Sequence, residues 1–177
     1  MFEKFTQLVL DRQSCRDFND KELDKETLDK IVDLSLNTPS ACNSQPWKLY
    51  VVTDENVKKE VRLSVQDTFM NKFANNAKAF IVVAETKAKL SPGASLKFSS
   101  DHFVKYDVGE MVAYLTLTAE SLGVSSCILG WVNQKKLKSA INLPDEEIAN
   151  IVIALGYSDI PKRPKVRKDK SQTVKYI

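Results

Sequence analysis

The chain's residue pattern predicts a mixed helix–strand fold, α/β or α+β, as a single domain over residues 1–177. Three observations support this. Segments with apolar residues at helical spacing alternate with four short apolar runs of strand character. The 177 residues suffice for one well-filled core and are few for two. No internal repeat, low-complexity tract or obvious linker interrupts them.

Residues 2–10 carry Phe2, Phe5, Leu8 and Val9 at helical spacing. A second helix begins near Asp24, whose carboxylate can accept from the free N–H groups of a first turn. It runs through Leu28, Ile31 and Val32 to about residue 36. Pro39 then pushes Thr38 away from helical geometry. Residues 48–53 read as a strand and 55–73 as a helix. The continuously apolar run 79–84 reads as a buried strand, and residues 90–100, with Ser, Pro and Gly, as a surface loop. The strongest helix is 104–122, where Val108, Met111, Val112, Leu115, Thr118, Ala119 and Leu122 share one face and Gly123 is a fitting stop. A strand over 124–129, a helix over 134–141 and a strand over 148–156 follow. Beyond Tyr157 there is no apolar period, so the tail must pack on something else or remain mobile.

Composition excludes several functions. Hydrophobic content of 43% and charged content of 28% are those of an ordinary globular domain. No apolar run approaches the roughly 20 residues that cross a bilayer. The start, MFEKFTQLVLDRQSCR, lacks a signal peptide's apolar centre, so a cytoplasmic protein without a membrane partner is expected. Cys15, Cys42 and Cys127 form no CxxC pair, which suggests neither a disulfide framework nor a zinc site; no metal is expected. Residues 161–177 carry seven Lys or Arg against one Asp, so the rest of this +3 chain is acidic. That tail suits a nucleic-acid arm, a solvated terminus or a phosphate ligand, but the acidic body argues against a nucleic-acid partner. The five glycines form neither GxGxxG nor a P-loop, and HExxH and EF-hand patterns are absent. His102 stands beside Ser99, Ser100 and Asp101, but a triad is assembled in space. A loop histidine, or one lining a pocket, is the favoured reading.

Two stretches suit a phosphorylated, polyaromatic ligand. Arg12-Gln13-Ser14-Cys15-Arg16 offers two guanidinium groups and a hydroxyl in five residues, a set that can hold a phosphate through charge-assisted bonds. The same residues fit a solvated helix end equally well. Thr38-Pro39-Ser40-Ala41-Cys42-Asn43-Ser44-Gln45-Pro46-Trp47 is a proline-stiffened loop of small polar residues, able to present backbone groups and the Asn43 amide to a heterocycle edge. Taken alone it reads as a plain helix-to-strand connection. In this order, RQSCR and PSACNSQPW closely resemble the FMN-dependent nitroreductase family, which typically shows Arg-[Arg/His]-Ser-x-[Arg/Lys] and then Pro-Ser-x-x-Asn-x-Gln-Pro-Trp. The resemblance continues through DVGEMVAY at 107–114, GVSSCILG at 123–130, IALGY at 153–157 and PKVRK at 164–168, and is weakest over 56–76.

The resemblance implies an α+β sandwich, a mostly antiparallel sheet flanked by helices, forming an intertwined homodimer with FMN at the subunit interface. Arg12 and Ser14 would bind the phosphate and ribityl chain, with Gln13 beside them and Arg16 near the N1–C2 carbonyl edge. A cation there stabilises the charge that reduction places on that edge. Lys165 and Arg167 match the tail's phosphate-binding pair. Pro39, Ser40, Ala41 and Asn43 match positions that approach the flavin from the other subunit. Ile128, Leu129 and Gly130 match the segment beneath the ring, and Asn71 and Lys72 supply a further polar contact. Gln13 departs from the pattern by replacing a commonly basic residue.

The implied activity is ping-pong transfer of a hydride from NADH or NADPH, through the flavin, to a nitroaromatic, quinone or related small acceptor. No protein acid or base is required for the hydride step. Competing readings are a flavin-linked dehydrogenase, a dehalogenase or a flavin-consuming enzyme of the same fold. A flavin-binding carrier or redox sensor is another, for which Cys42 is suggestive.

Overall fold

The structure, a computed structural model, describes residues 1–66 and 70–177. The described residues form α1 (Phe2–Asp11), α2 (Lys25–Ser35), β1 (Trp47–Val52), α3 (Glu55–Val65), β2 (Ala79–Glu85), α4 (Pro92–Ser95), α5 (Val104–Ser121), β3 (Ser125–Leu129), α6 (Gln134–Ile141) and β4 (Ile148–Gly156). All strand pairings are antiparallel, in the order β1-β2-β4-β3. This decides between the two predicted classes in favour of α+β.

The apolar run of β2 is continuous because both faces of that interior strand are covered. Phe80, Val82 and Ala84 point into a core shared with α3 and α6. Ala79, Ile81 and Val83 point the other way, into a core built with α2 and α5. The sheet is thus sandwiched between two helical layers. Phe80 is fully buried, and truncating such a side chain to alanine costs about 3–5 kcal/mol.

Local chemistry sets the helix ends. The Asp24 carboxylate accepts from the Thr27 N–H at 2.8 Å, and Asp54 does the same for Asn56 and Val57. Gly123 takes φ 72 behind α5, which lets the Val124 N–H reach the Ala119 carbonyl at 2.9 Å. The helix expected over 55–73 is shorter: α3 stops at Val65 and Gln66 is extended. Val61, Val65 and Phe73 keep helical spacing, but Asn71 adopts φ 57 and its side-chain amide donates to the Val65 carbonyl, closing the helix end. Residues 67–69 of that expectation lie outside the described residues. The loop expected over 90–100 contains the single turn α4, whose Ala94 N–H is capped by Ser91 Oγ.

Two terminal segments differ from the packed layers. α1 touches α5 but buries none of its own residues, leaving Phe2, Phe5, Val9 and Leu10 exposed. The basic tail folds back on the chain: Lys162 pairs with Glu120 of α5, and Arg163 reaches Gln13. No helix among the described residues is long and apolar enough to cross a membrane.

Candidate functional site

β3 ends the strand order, so one of its edges is free, and the segment after α1 lies along it. Arg12 leaves the helix at ψ 117. Ser14 then forms a parallel bridge with Ser126, and the Cys15 N–H donates to the Ser126 carbonyl at 2.8 Å. Further on, the Asn19 N–H donates to the Tyr157 carbonyl at 2.8 Å. Between them Phe18 lies over Gly156, where a Cβ would come within 2.9 Å of the ring, so glycine is what permits this approach.

The tail closes the other side. The Arg163 guanidinium donates through Nε to Gln13 Oε1 at 3.1 Å and through Nη2 to the Ser14 carbonyl at 2.8 Å. The Lys165 ammonium donates to the Arg12 carbonyl. Together these segments line a cavity of about 420 Å³ with five cations, Arg12, Arg16, Arg163, Lys165 and Arg167, and with no acid among the described residues. Arg12 Nη1 is buried without a hydrogen-bond partner, as is Ser126 Oγ across the bridge from Ser14. A buried unpaired donor costs about 1–3 kcal/mol, more when charged. Burial, and then the Arg12 and Arg167 charges, hold Lys165 below the usual lysine range. A phosphate in this cavity would offset the crowding of like charges around Lys165. Cys127 differs, because burial pushes its thiol up and leaves it unreactive.

The loop before β1 is neutral, and its polar groups pair with one another and with neighbouring segments. Ser40 Oγ accepts the Gln45 N–H at 2.8 Å, Ser44 Oγ accepts the Lys89 N–H at 2.6 Å, and the Ala41 N–H donates to Asp107 Oδ1 at 3.1 Å. Its backbone is nonetheless costly: Cys42, Asn43 and Gln45 take φ 54, 50 and 49, the left-handed region, at about 1–2 kcal/mol for an ordinary residue. Asp107 is buried on α5 and its Oδ2 has no partner.

The structure therefore gathers Arg12, Gln13, Ser14, Arg16, Lys165 and Arg167 around one cavity. Pro39, Ser40, Ala41 and Asn43 do not line it, and neither do Asn71 and Lys72. Leu129 is buried at the end of β3, while Ile128 and Gly130 are exposed there. His102 packs against Phe98 and Phe103, each at 4.6 Å between ring centroids, and Ser100 donates to Asp101 instead. A larger cleft of about 710 Å³ between α3 and α6 mixes Glu60 with Lys135 and Lys136. None of its lining residues holds a buried side-chain atom lacking a partner, so it shows no comparable demand for a ligand.

Sequence reasoning missed two residues. Arg163 was one of seven tail cations with nothing in its spacing to single it out. Asp107 had a signal: it lies one turn before Met111, an acid on the apolar face of the strongest helix.

A family model described as the nitroreductase family matches residues 9–157. The chain belongs to the nitroreductase family. Membership makes it an oxidoreductase. A nitroreductase relative from Archaeoglobus fulgidus, named as an NADH dehydrogenase/NAD(P)H nitroreductase, is 29% identical over 94% of this chain and 89% of its own length. The oxygen-insensitive NADPH nitroreductase of Helicobacter pylori is 25% identical over 99% of this chain and 97% of its own. The iodotyrosine deiodinase of Thermotoga neapolitana is 26% identical over 88% and 89%. Among solved structures, a nitroreductase family protein of Clostridium difficile 630 superposes with TM-score 0.82 at 23% identity, covering 97% of each chain. A nitroreductase of Exiguobacterium sibiricum, solved in complex with FMN, superposes with TM-score 0.85 at 18% identity, covering 98% of this chain and 97% of that one. These two likenesses speak to the nitroreductase fold.

Proposed function

We propose that this nitroreductase-family chain binds FMN and transfers reducing equivalents from NADH or NADPH to a nitroaromatic, quinone or related small acceptor, as a cytoplasmic homodimer. The observation that carries the reading is the cavity lined by five cations and, among the described residues, no acid, with Arg12 Nη1 buried and unpartnered. The donor set suits a phosphate bearing about −1.5 to −2 charges. Arg12, Ser14, Lys165 and Arg167 would hold that phosphate and the chain attached to it. Arg16, exposed at the same rim, would lie toward the ring edge. Bound FMN would supply the hydride chemistry, with donor and acceptor using one face in turn.

The remaining residues would frame the ring. Ile128, Leu129 and Gly130 would lie beneath it, with Asn71 and Lys72 adding a polar contact. Pro39, Ser40, Ala41 and Asn43 do not line the cavity of their own chain, which suits a role in the partner subunit's site. The exposed Phe2, Phe5, Val9 and Leu10 of α1 give a second copy an apolar face to cover. The deiodinase relative favours one second reading, reductive removal of a halogen by the same bound flavin.

Purification tests the proposal directly. A yellow protein that releases FMN on denaturation, elutes as a dimer and oxidises NAD(P)H rapidly when a quinone is added is the expected result. A colourless protein that takes up no FMN overturns it, and a stable ternary complex of donor and acceptor excludes the alternating cycle. Halide release from a halogenated phenol, outpacing quinone and nitroaromatic reduction, would transfer the assignment to the second reading.

A further inference from the structure

Gln13 occupies the position where the family motif commonly carries a base, yet it is 93% buried, and its side-chain oxygen is turned toward the tail. Gln13 Oε1 accepts two bonds from one residue: the backbone N–H of Arg163 at 3.2 Å and its guanidinium Nε at 3.1 Å. The same guanidinium donates to the Ser14 carbonyl at 2.8 Å. Three bonds therefore converge from Arg163 onto two consecutive residues of the phosphate segment, some 150 positions away in the chain.

We propose that Gln13 and Arg163 are positioning residues, a latch that folds the basic tail over the cavity and so confers preference for phosphorylated flavin over riboflavin. The inference rests on the reading of that cavity as an FMN phosphate site.

The chemistry of the pair decides which residue types can serve. A base at position 13 would repel Arg163 and leave the tail without an acceptor. An acid would hold Arg163 more tightly but place a negative charge beside the incoming phosphate. Glutamine is a neutral acceptor that takes a backbone N–H and a guanidinium N–H at once, without cancelling any of the charge on Arg12 or Lys165. The planar guanidinium likewise spans two acceptors in a way an ammonium does not. Arg163 precedes Lys165 by two residues, so fixing Arg163 brings Lys165 onto the Arg12 carbonyl. Gln13 thus acts on the ligand through the tail, which explains how a neutral residue can stand in a phosphate-binding motif.

The test compares FMN with riboflavin, two ligands that share the ring and differ in the phosphate. Binding of each is titrated by flavin fluorescence to the flavin-free full-length protein and to Gln13→Ala, Arg163→Lys and the double variant. The Lys162–Glu120 pair stays intact in all of them. Gln13→Ala and Arg163→Lys should each weaken FMN about 5- to 10-fold, as expected for losing a charge-assisted but partly solvated bond. Riboflavin affinity should stay within about twofold, and the double variant should be no worse than the weaker single one. Arg163→Lys conserves charge, so wild-type FMN affinity in that variant would reduce Arg163 to a point charge and overturn the latch. Equal losses for both ligands would show a merely structural role and overturn it too. An unsubstituted protein that binds riboflavin as tightly as FMN would instead refute the phosphate reading itself, before any variant is compared.

Discussion

The segment Arg12–Arg16 and the loop from Pro39 to Gln45 both resemble family motifs, yet they are under opposite kinds of stress. The first has ordinary backbone geometry and unsatisfied electrostatics: five cations around one cavity, a buried guanidinium nitrogen without a partner and a depressed Lys165. The second has satisfied polar groups and an unfavourable backbone, with three non-glycine residues in the left-handed region. A charge penalty is removed by a ligand of opposite charge, whereas a conformational penalty persists with or without one. In the proposed FMN site the first segment would bind and the second would shape, and each role can be broken separately.

The largest effect belongs to the tail. Replacing Lys165 and Arg167 together with alanine should weaken FMN by about 100-fold or more, since each charge-assisted bond is worth about 1.5–3 kcal/mol. Equilibrium titration measures this, and an unchanged affinity would remove the tail from the phosphate site. Next comes Asp107→Ala, which strands the Ala41 N–H and should lower quinone-reductase turnover about 10-fold while leaving the FMN-to-riboflavin preference intact. Asp107→Asn keeps an acceptor oxygen and should restore most of the turnover. A shift in flavin preference in either variant would merge the two regions' roles.

Smaller effects sharpen the contrast through stability. The folded-state pKa of Lys165 is lowered, so its charge opposes folding at neutral pH, and the penalty fades as pH rises toward the ordinary lysine range. Lys165→Met should therefore raise the Tm of the flavin-free protein slightly at pH 7, with the gain shrinking at alkaline pH, even as FMN binding falls. Differential scanning calorimetry across pH checks the sign. Cys42→Gly should relieve the left-handed strain and stabilise the protein by about 0.5–1 kcal/mol, with or without FMN. A gain appearing only with FMN bound would show that the ligand, and not the loop, sets that geometry.

Most of the fold was legible because its signals are local. Asp24 announced a helix start, Gly123 a helix end, and the apolar run at residues 79–84 a strand covered on both faces. The error at α3 has a local cause as well: apolar spacing continued past Val65, but a left-handed Asn71 with its amide on the Val65 carbonyl ends the helix. The cationic cavity was legible as one motif and a basic tail, whereas the residue joining them was not. Arg163 looks like its neighbours until Gln13 is brought beside it.

By itself, the sequence determined most of the elements, the family and the cationic character of the tail. Periodicity, capping residues and net charge depend on residues near one another in the chain. The tertiary structure alone decided that β3 has a free edge, that Ser14 and Cys15 pair with it, and that the tail returns to the same place. Those outcomes depend on strand order and on contacts between residues some 150 positions apart, which no local pattern encodes. The five cations of RQSCR and the tail line a single cavity only once that closure brings them together.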